Sequence, residues 1–184
     1  MFLKVNFEIK FVKLILCEKF FAQVKFFLEE IFVIEKIVGD LLREKNFTIS
    51  CAESCTGGLL TSKLTDIAGS SDYVKGAIVS YTNEIKNKIL QVETETLQNF
   101  SAVSEETALE MSKNVRKIFC TDIGVSVTGY AGPGGEVGKV FISVAGEKNV
   151  AVKKFNFAGS RIEIKNQAAT SALEFLENFL QSND

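Results

Sequence analysis

The chain has 184 residues, 46% hydrophobic and 24% charged, with thirteen glycines, one proline and a formal net charge of -2, the profile of a globular protein of one domain with an appendage. Its 21 basic residues against 23 acidic ones leave no bulk excess to attract nucleic acid or an anionic membrane, although a local basic pocket stays open. It has no histidine, which excludes Ser/His/Asp and Cys/His catalytic arrangements and every histidine-ligated metal site, so acid/base chemistry falls to Lys, Asp, Glu, Tyr or Cys.

Residues 1–32 hold eight of the sixteen phenylalanines and no glycine, and they form the appendage. Leu3, Val5, Phe7, Ile9 and Phe11 alternate with polar residues as in a half-buried strand, and Phe20, Val24, Phe27, Leu28 and Ile31 recur at helical spacing. Two readings stand for this segment: an apolar face that covers the main domain or another copy of it, or upstream sequence loosely attached to the fold.

Residues 33–184 form the main domain. Ile34, Ile37, Val38, Leu41 and Leu42 predict a helix ending near Lys45, followed by a strand over Phe47 to Cys51, a short helix over Gly57 to Asp66 and a buried strand over Ala77 to Tyr81. Helices over Asn83 to Leu90 and Thr94 to Asn99 come next. Ser104 is an N-cap, with Glu105 and Glu106 in the first turn of a helix running to about Phe119. A strand over Ile123 to Val127 precedes two more, Lys139 to Ala145 and Asn149 to Phe157, joined by the tight Gly146-Glu147-Lys148 connection as a hairpin. A closing helix begins near Ser160. Strands that alternate with helices and finish in a hairpin predict an α/β fold, a three-layer α/β/α sandwich around a mixed sheet.

The four cysteines, Cys17, Cys51, Cys55 and Cys120, lack the paired spacing of a zinc site and read as reduced, mostly buried thiols. The longest run free of Asp, Glu, Lys and Arg, Ile123 to Gly135, is 13 residues, well short of a membrane span. Lys and Glu interrupt the apolar N-terminus, against an export signal, so a cytoplasmic location is expected.

Three segments fall where the C-terminal edge of the sheet is predicted, the usual ligand edge of an open α/β fold. They are Ala52 to Gly58, Ser80 to Lys86 and Thr128 to Gly135. In the first, a strand opens into a helix, so free backbone N–H groups there suit an anion or an oxyanion, and Gly57 and Gly58 permit close approach. Ser54 and Thr56 add hydroxyls, and equally suit a plain helix cap. Gly135-Glu136-Val137-Gly138-Lys139-Val140 fails as a P-loop, because the first glycine is misplaced and Val140 cannot hold magnesium. Without histidine, a serine nucleophile needs a lysine of lowered pKa. Lys86, in the first turn of a helix whose dipole disfavours its charge, is the best candidate, and Lys63 is the competitor.

Ala-Glu-Ser-Cys-Thr-Gly-Gly at 52–58, Ala-Gly-Ser-Ser at 68–71, Val-Ser-Tyr-Thr-Asn-Glu-Ile-Lys at 79–86, Ala-Val-Ser-Glu at 102–105 and Thr-Gly-Tyr-Ala-Gly-Pro-Gly-Gly at 128–135 together resemble the CinA C-terminal domain family, over about residues 34–181. That family includes stand-alone nicotinamide mononucleotide deamidases. The resemblance implies hydrolysis of the carboxamide of nicotinamide mononucleotide to nicotinic acid mononucleotide and ammonia, with Ser54 as nucleophile, Lys86 as base and no cofactor or metal. It implies N–H groups around Cys55, Thr56, Gly57 and Gly58 at the oxyanion. Arg161 matches a family arginine and suits the phosphate; Thr128, Gly129 and Gly132 offer hydroxyl and backbone contacts; Tyr81 and Asn83 shape the pocket. Family domains commonly pair, so a homo-oligomer, with a dimer favoured, is expected, and neither nucleic acid nor membrane is an expected partner. The chain departs from the family after Ala-Gly-Pro, where 135–140 is short and lacks a Lys-Pro pair, and Glu136 there either repels a phosphate or faces solvent. A catalytically weak nucleotide-binding module and a Ser/Lys amidase for another small amide are the competing readings; binding without turnover marks the first, a reactive serine that ignores the mononucleotide the second.

Overall fold

A computed structural model of the chain describes residues 33–182, so the strand and helix expected in residues 1–32 lie outside the described residues. The elements are α1 (Ile34–Glu44), β1 (Ile49–Glu53), α2 (Leu59–Thr65), a 3-10 turn at Ser70–Asp72, β2 (Val74–Val79), α3 (Asn83–Lys88), α4 (Thr94–Phe100), α5 (Glu105–Phe119), β3 (Ile123–Gly129), β4 (Lys139–Ala145), β5 (Val150–Asn156) and α6 (Arg161–Ser182).

The strands form one mixed sheet in the order β2-β1-β3-β4-β5, with β1 parallel to β2 and β3, and the β4–β5 hairpin antiparallel. Helices α1, α2 and α6 share the larger core with one face, where Val38, Leu42, Leu60, Leu64, Leu173 and Leu176 are fully buried. On the other face α5 lies across the sheet and brings Met111 and Val115 against Ala52. This is the three-layer α/β/α sandwich that the alternation predicts. Helix α5 sits very close to β3: a Cβ on Gly124 would come 2.1 Å from the Ser112 carbonyl, so that strand position admits no side chain. Buried hydroxyls bridge the gap, Ser126 donating to the Ala108 carbonyl at 2.6 Å and Ser112 pairing with Ser143 at 2.8 Å.

Two strands depart from their expected places. The one expected over Phe47 to Cys51 runs over Ile49–Glu53, ending on a fully buried glutamate that alternation of apolar residues does not reveal. The one expected as buried over Ala77 to Tyr81 runs over Val74–Val79 and forms a sheet edge, leaving Val79 46% exposed.

Candidate active site

The parallel ladders run one residue beyond β1 and β2, and this sets the site. Ser54 N–H donates to the Val127 carbonyl at 2.9 Å, and Ser80 N–H donates to the Glu53 carbonyl at 2.8 Å. Ser54 and Ser80 therefore stand at the C-terminal ends of neighbouring strands, β1 lying beside β3 where the strand order reverses. Thr82 caps α3 by accepting from Ile85 N–H, and the short helix turns Lys86 back toward the sheet.

Lys86 is 2% exposed, and its Nζ lies 2.9 Å from Ser54 Oγ and 2.7 Å from the Ser80 carbonyl. Burial lowers its pKa to about 8 from the usual lysine value; the neighbouring Cys55 opposes the shift slightly. Lys86 lies in the last turn of the six-residue α3, so the cause is desolvation rather than the dipole of the helix N-terminus that the sequence suggests. The competitor Lys63 pairs with Glu35 at 2.5 Å and takes no part.

A cavity of about 230 Å³ opens over this pair, lined by Ser54, Cys55, Lys86 and Asn83 together with Tyr81 and Arg161. Thr128, Gly129 and Gly132 form its far wall. Thr128 is fully buried and its hydroxyl donates to the Ala102 carbonyl at 2.7 Å, holding the loop before α5 against the end of β3. The Arg161 guanidinium donates to the Tyr81 hydroxyl and to the Gly132 carbonyl, linking both lips of the cavity. Neither acceptor is a carboxylate, so the guanidinium charge stands at the mouth without an anion among the described residues. Glu136 points elsewhere: it is largely exposed, and Lys139 pairs with it at 2.9 Å and holds its pKa down.

Three expected site residues fall outside the cavity lining. Gly57 N–H is spent on the Ser54 carbonyl at 3.1 Å, and Gly58 N–H on the Glu53 carboxylate at 2.9 Å. Thr56 is buried, and its hydroxyl has no hydrogen-bond partner among the described residues. The helix N-terminus read as an open anion site is filled from within the chain. Fully buried Glu53 also accepts from the N–H groups of Leu60 and Thr61 and from the Thr61 hydroxyl. Its acidic type one residue before Ser54, and six before the start of α2, was the available signal. Tyr130, Val103 and Pro133 also line the cavity without having been singled out. Burial raises the Cys55 thiol to about 11, although its own amide, Lys86 and the Thr56 amide pull it down, leaving it an uncharged neighbour of the pair.

The sequence model of the CinA C-terminal domain matches residues 32–180. The chain belongs to the CinA C-terminal domain family. It is 47% identical over 152 residues to a CinA-like protein of Kosmotoga olearia and 41% identical over 152 residues to a putative competence-damage inducible protein of Desulforamulus reducens. Each match covers 80% of this chain but only 37% of the relative, so the chain spans little more than a third of those proteins. The fold superposes on the competence damage-inducible protein A of Klebsiella pneumoniae with a TM-score of 0.80 at 33% identity, covering 82% of this chain and 97% of that one. The CihA protein of Agrobacterium tumefaciens gives a TM-score of 0.75 at 38% identity, covering 80% and 95%. In this CinA domain, no group of three or more metal-ligating side chains comes together among the described residues, and no helix there is long and apolar enough to cross a membrane.

Proposed function

We propose that this CinA domain hydrolyses the carboxamide of nicotinamide mononucleotide, giving nicotinic acid mononucleotide and ammonia, in recycling of pyridine nucleotides. The observation that carries the reading is the buried Lys86–Ser54 pair, a serine and a lysine of lowered pKa in a chain without histidine.

In this reading neutral Lys86 donates one N–H to the Ser80 carbonyl and turns its lone pair to Ser54. It takes the Ser54 proton as Oγ attacks the carboxamide carbon. Of the amides in residues 55–58, those of Cys55 and Thr56 face only the Cys55 sulfur, a weak acceptor that an oxyanion can displace, whereas those of Gly57 and Gly58 are committed to oxygen acceptors. Collapse of the tetrahedral intermediate breaks the C–N bond, and Lys86 returns its proton to the departing nitrogen, releasing ammonia. Water, deprotonated by Lys86, then hydrolyses the acyl-serine and frees the acid. Arg161, with its forked donors and no bound carboxylate, suits the phosphate, and exposed Tyr81 beside it suits the nucleotide's ring face. Self-association of the full chain as a dimer belongs to the same proposal, and a monomer in sedimentation velocity overturns that part.

Ammonia and nicotinic acid mononucleotide production by the parent chain, Ser54→Ala and Lys86→Ala tests the reading. Turnover by the parent alone supports it. A folded parent without turnover overturns it, in favour of a binding module or an amidase for another small amide.

A further inference from the structure

At the opposite end of the sheet from Ser54, a surface groove of about 280 Å³ lies between the C-terminal half of α5 and the β4–β5 turn. The separation is the length of the seven-residue β3, roughly 20 Å at the usual rise per strand residue. Four cations line it: Lys113, Arg116 and Lys117 from α5, and Lys148 from the hairpin turn. Glu147 is its only carboxylate. In a chain of net charge -2 this is a local concentration of positive charge.

Among the described residues, no salt bridge holds these side chains. No carboxylate forms a salt bridge with Lys113, Lys117 or Lys148 among the described residues; Arg116 donates its Nε to the Asp122 carbonyl at 3.1 Å and also interacts electrostatically with the nearby Asp122 carboxylate, which leaves its two terminal nitrogens for a ligand. The dipole of α5 favours Arg116 and Lys117 in its last turn, but it favours neither Lys113, a turn earlier, nor Lys148, which another element delivers to the same groove. Lys113 and Lys117 stand four residues apart on one helix, where like charges repel, so local stability does not explain the arrangement. The carboxylate one turn back, Glu110, is already engaged with Thr96 and with the Glu93 amide.

We propose that this groove binds a small phosphate-rich anion, of the triphosphate class, at a site separate from the catalytic cavity. Three linked phosphates carry the three or four negative charges that four convergent cations match, and Arg116 supplies the two terminal nitrogens that fork onto phosphate oxygens. A single phosphate reaches too few of the cations for tight binding. Since the groove lies apart from Ser54, the proposal holds whether or not the deamidase reading does.

The test is calorimetric titration of the full chain with inorganic tripolyphosphate, with orthophosphate and a DNA duplex as comparisons, at low and physiological salt. Expected is tripolyphosphate binding at least tenfold tighter than orthophosphate, weakening with salt. Lys113→Ala/Lys148→Ala is expected to weaken it at least tenfold while leaving thermal unfolding unchanged, and Lys113→Glu/Lys148→Ala to weaken it further. Tripolyphosphate binding no tighter than orthophosphate overturns the proposal. So does binding indifferent to these variants, or duplex DNA bound more tightly than tripolyphosphate, which assigns the groove to nucleic acid.

Discussion

Lys86 Nζ lies 2.7 Å from the Ser80 carbonyl and 2.9 Å from Ser54 Oγ, so one acceptor fixes the amine while its remaining valence faces the hydroxyl. A base held this way works only when neutral. With its pKa lowered to about 8 by burial, kcat/KM for the amide substrate is expected to climb about tenfold per pH unit below pH 8 and to level above it. A profile flat from pH 6 to 9 removes Lys86 as the base. Ser54→Ala and Lys86→Ala are each expected to cost several orders of magnitude in turnover, non-additively in the double variant.

The same burial has a stability consequence of opposite sign to most ion pairs. Lys86 is protonated in the unfolded chain up to its ordinary pKa but sheds its proton at about 8 in the fold. Between those values the unfolded state binds more protons, so stability rises with pH there, and below pH 8 the whole penalty is present. Lys86→Met removes it. At pH 6.5 the variant is expected to gain roughly 1 to 3 kcal/mol, the upper end being the full shift and the lower end allowing for the lost bond to Ser80. Denaturant unfolding at pH 6.5 and 10 checks this: the gain should shrink or vanish at the higher pH, and an equal gain at both refutes the origin in Lys86 titration.

The distance between what the sequence discloses and what the fold does is clearest at Glu53. β4 was legible at both ends, Lys139 and Ala145, because it lies inside the sheet and is buried along nearly its whole length. The absence of histidine pointed only to a serine with a lysine of lowered pKa; the family resemblance singled out Ser54 and Lys86, which the fold brings within 2.9 Å. Glu53 was not, since an acidic residue at the end of a strand reads as the start of a loop. Only the tertiary arrangement shows that three backbone amides and a hydroxyl solvate its carboxylate in place of water. β2 was misjudged for the converse reason: Val79 and Tyr81 are apolar, yet both are exposed, Val79 at the end of the edge strand and Tyr81 just past it at the cavity lining.

Glu53→Ala is therefore expected to behave as the loss of a buried helix cap rather than of a surface charge. It leaves the amides of Gly58, Leu60 and Thr61 without acceptors, at a cost of roughly 2 to 4 kcal/mol. Glu53→Gln keeps one oxygen and should cost about half as much. Urea midpoints of the two variants check the order, and equal midpoints for Glu53→Ala and the parent contradict the capping role.

Arg161 offers a sharper separation of binding from chemistry. If its guanidinium meets the phosphate of the substrate, Arg161→Ala should raise KM for the mononucleotide about tenfold or more. It should leave the slow turnover of the corresponding nucleoside, which lacks the phosphate, within about twofold. Equal losses for both substrates show that the arginine serves only to hold Tyr81 and Gly132 in place.

The glycines after Thr128 differ sharply in what they protect. Gly138 has φ of +95°, and a Cβ there would lie 1.9 Å from the Phe157 carbonyl oxygen, backbone that cannot step aside because Phe157 N–H donates to the Gly138 carbonyl at 2.9 Å. Gly134 has a similar φ of +97° but nothing within 4 Å of the added atom. Gly134→Ala should thus cost only the left-handed backbone strain, about 1 to 2 kcal/mol. Gly138→Ala adds a steric clash to that strain and should cost well over twice as much, since the loop and the β4–β5 hairpin meet at this point. Thermal unfolding of the two variants beside the parent measures the difference, and similar midpoints would mean that the loop following Pro133 yields at Gly138 to admit the methyl group.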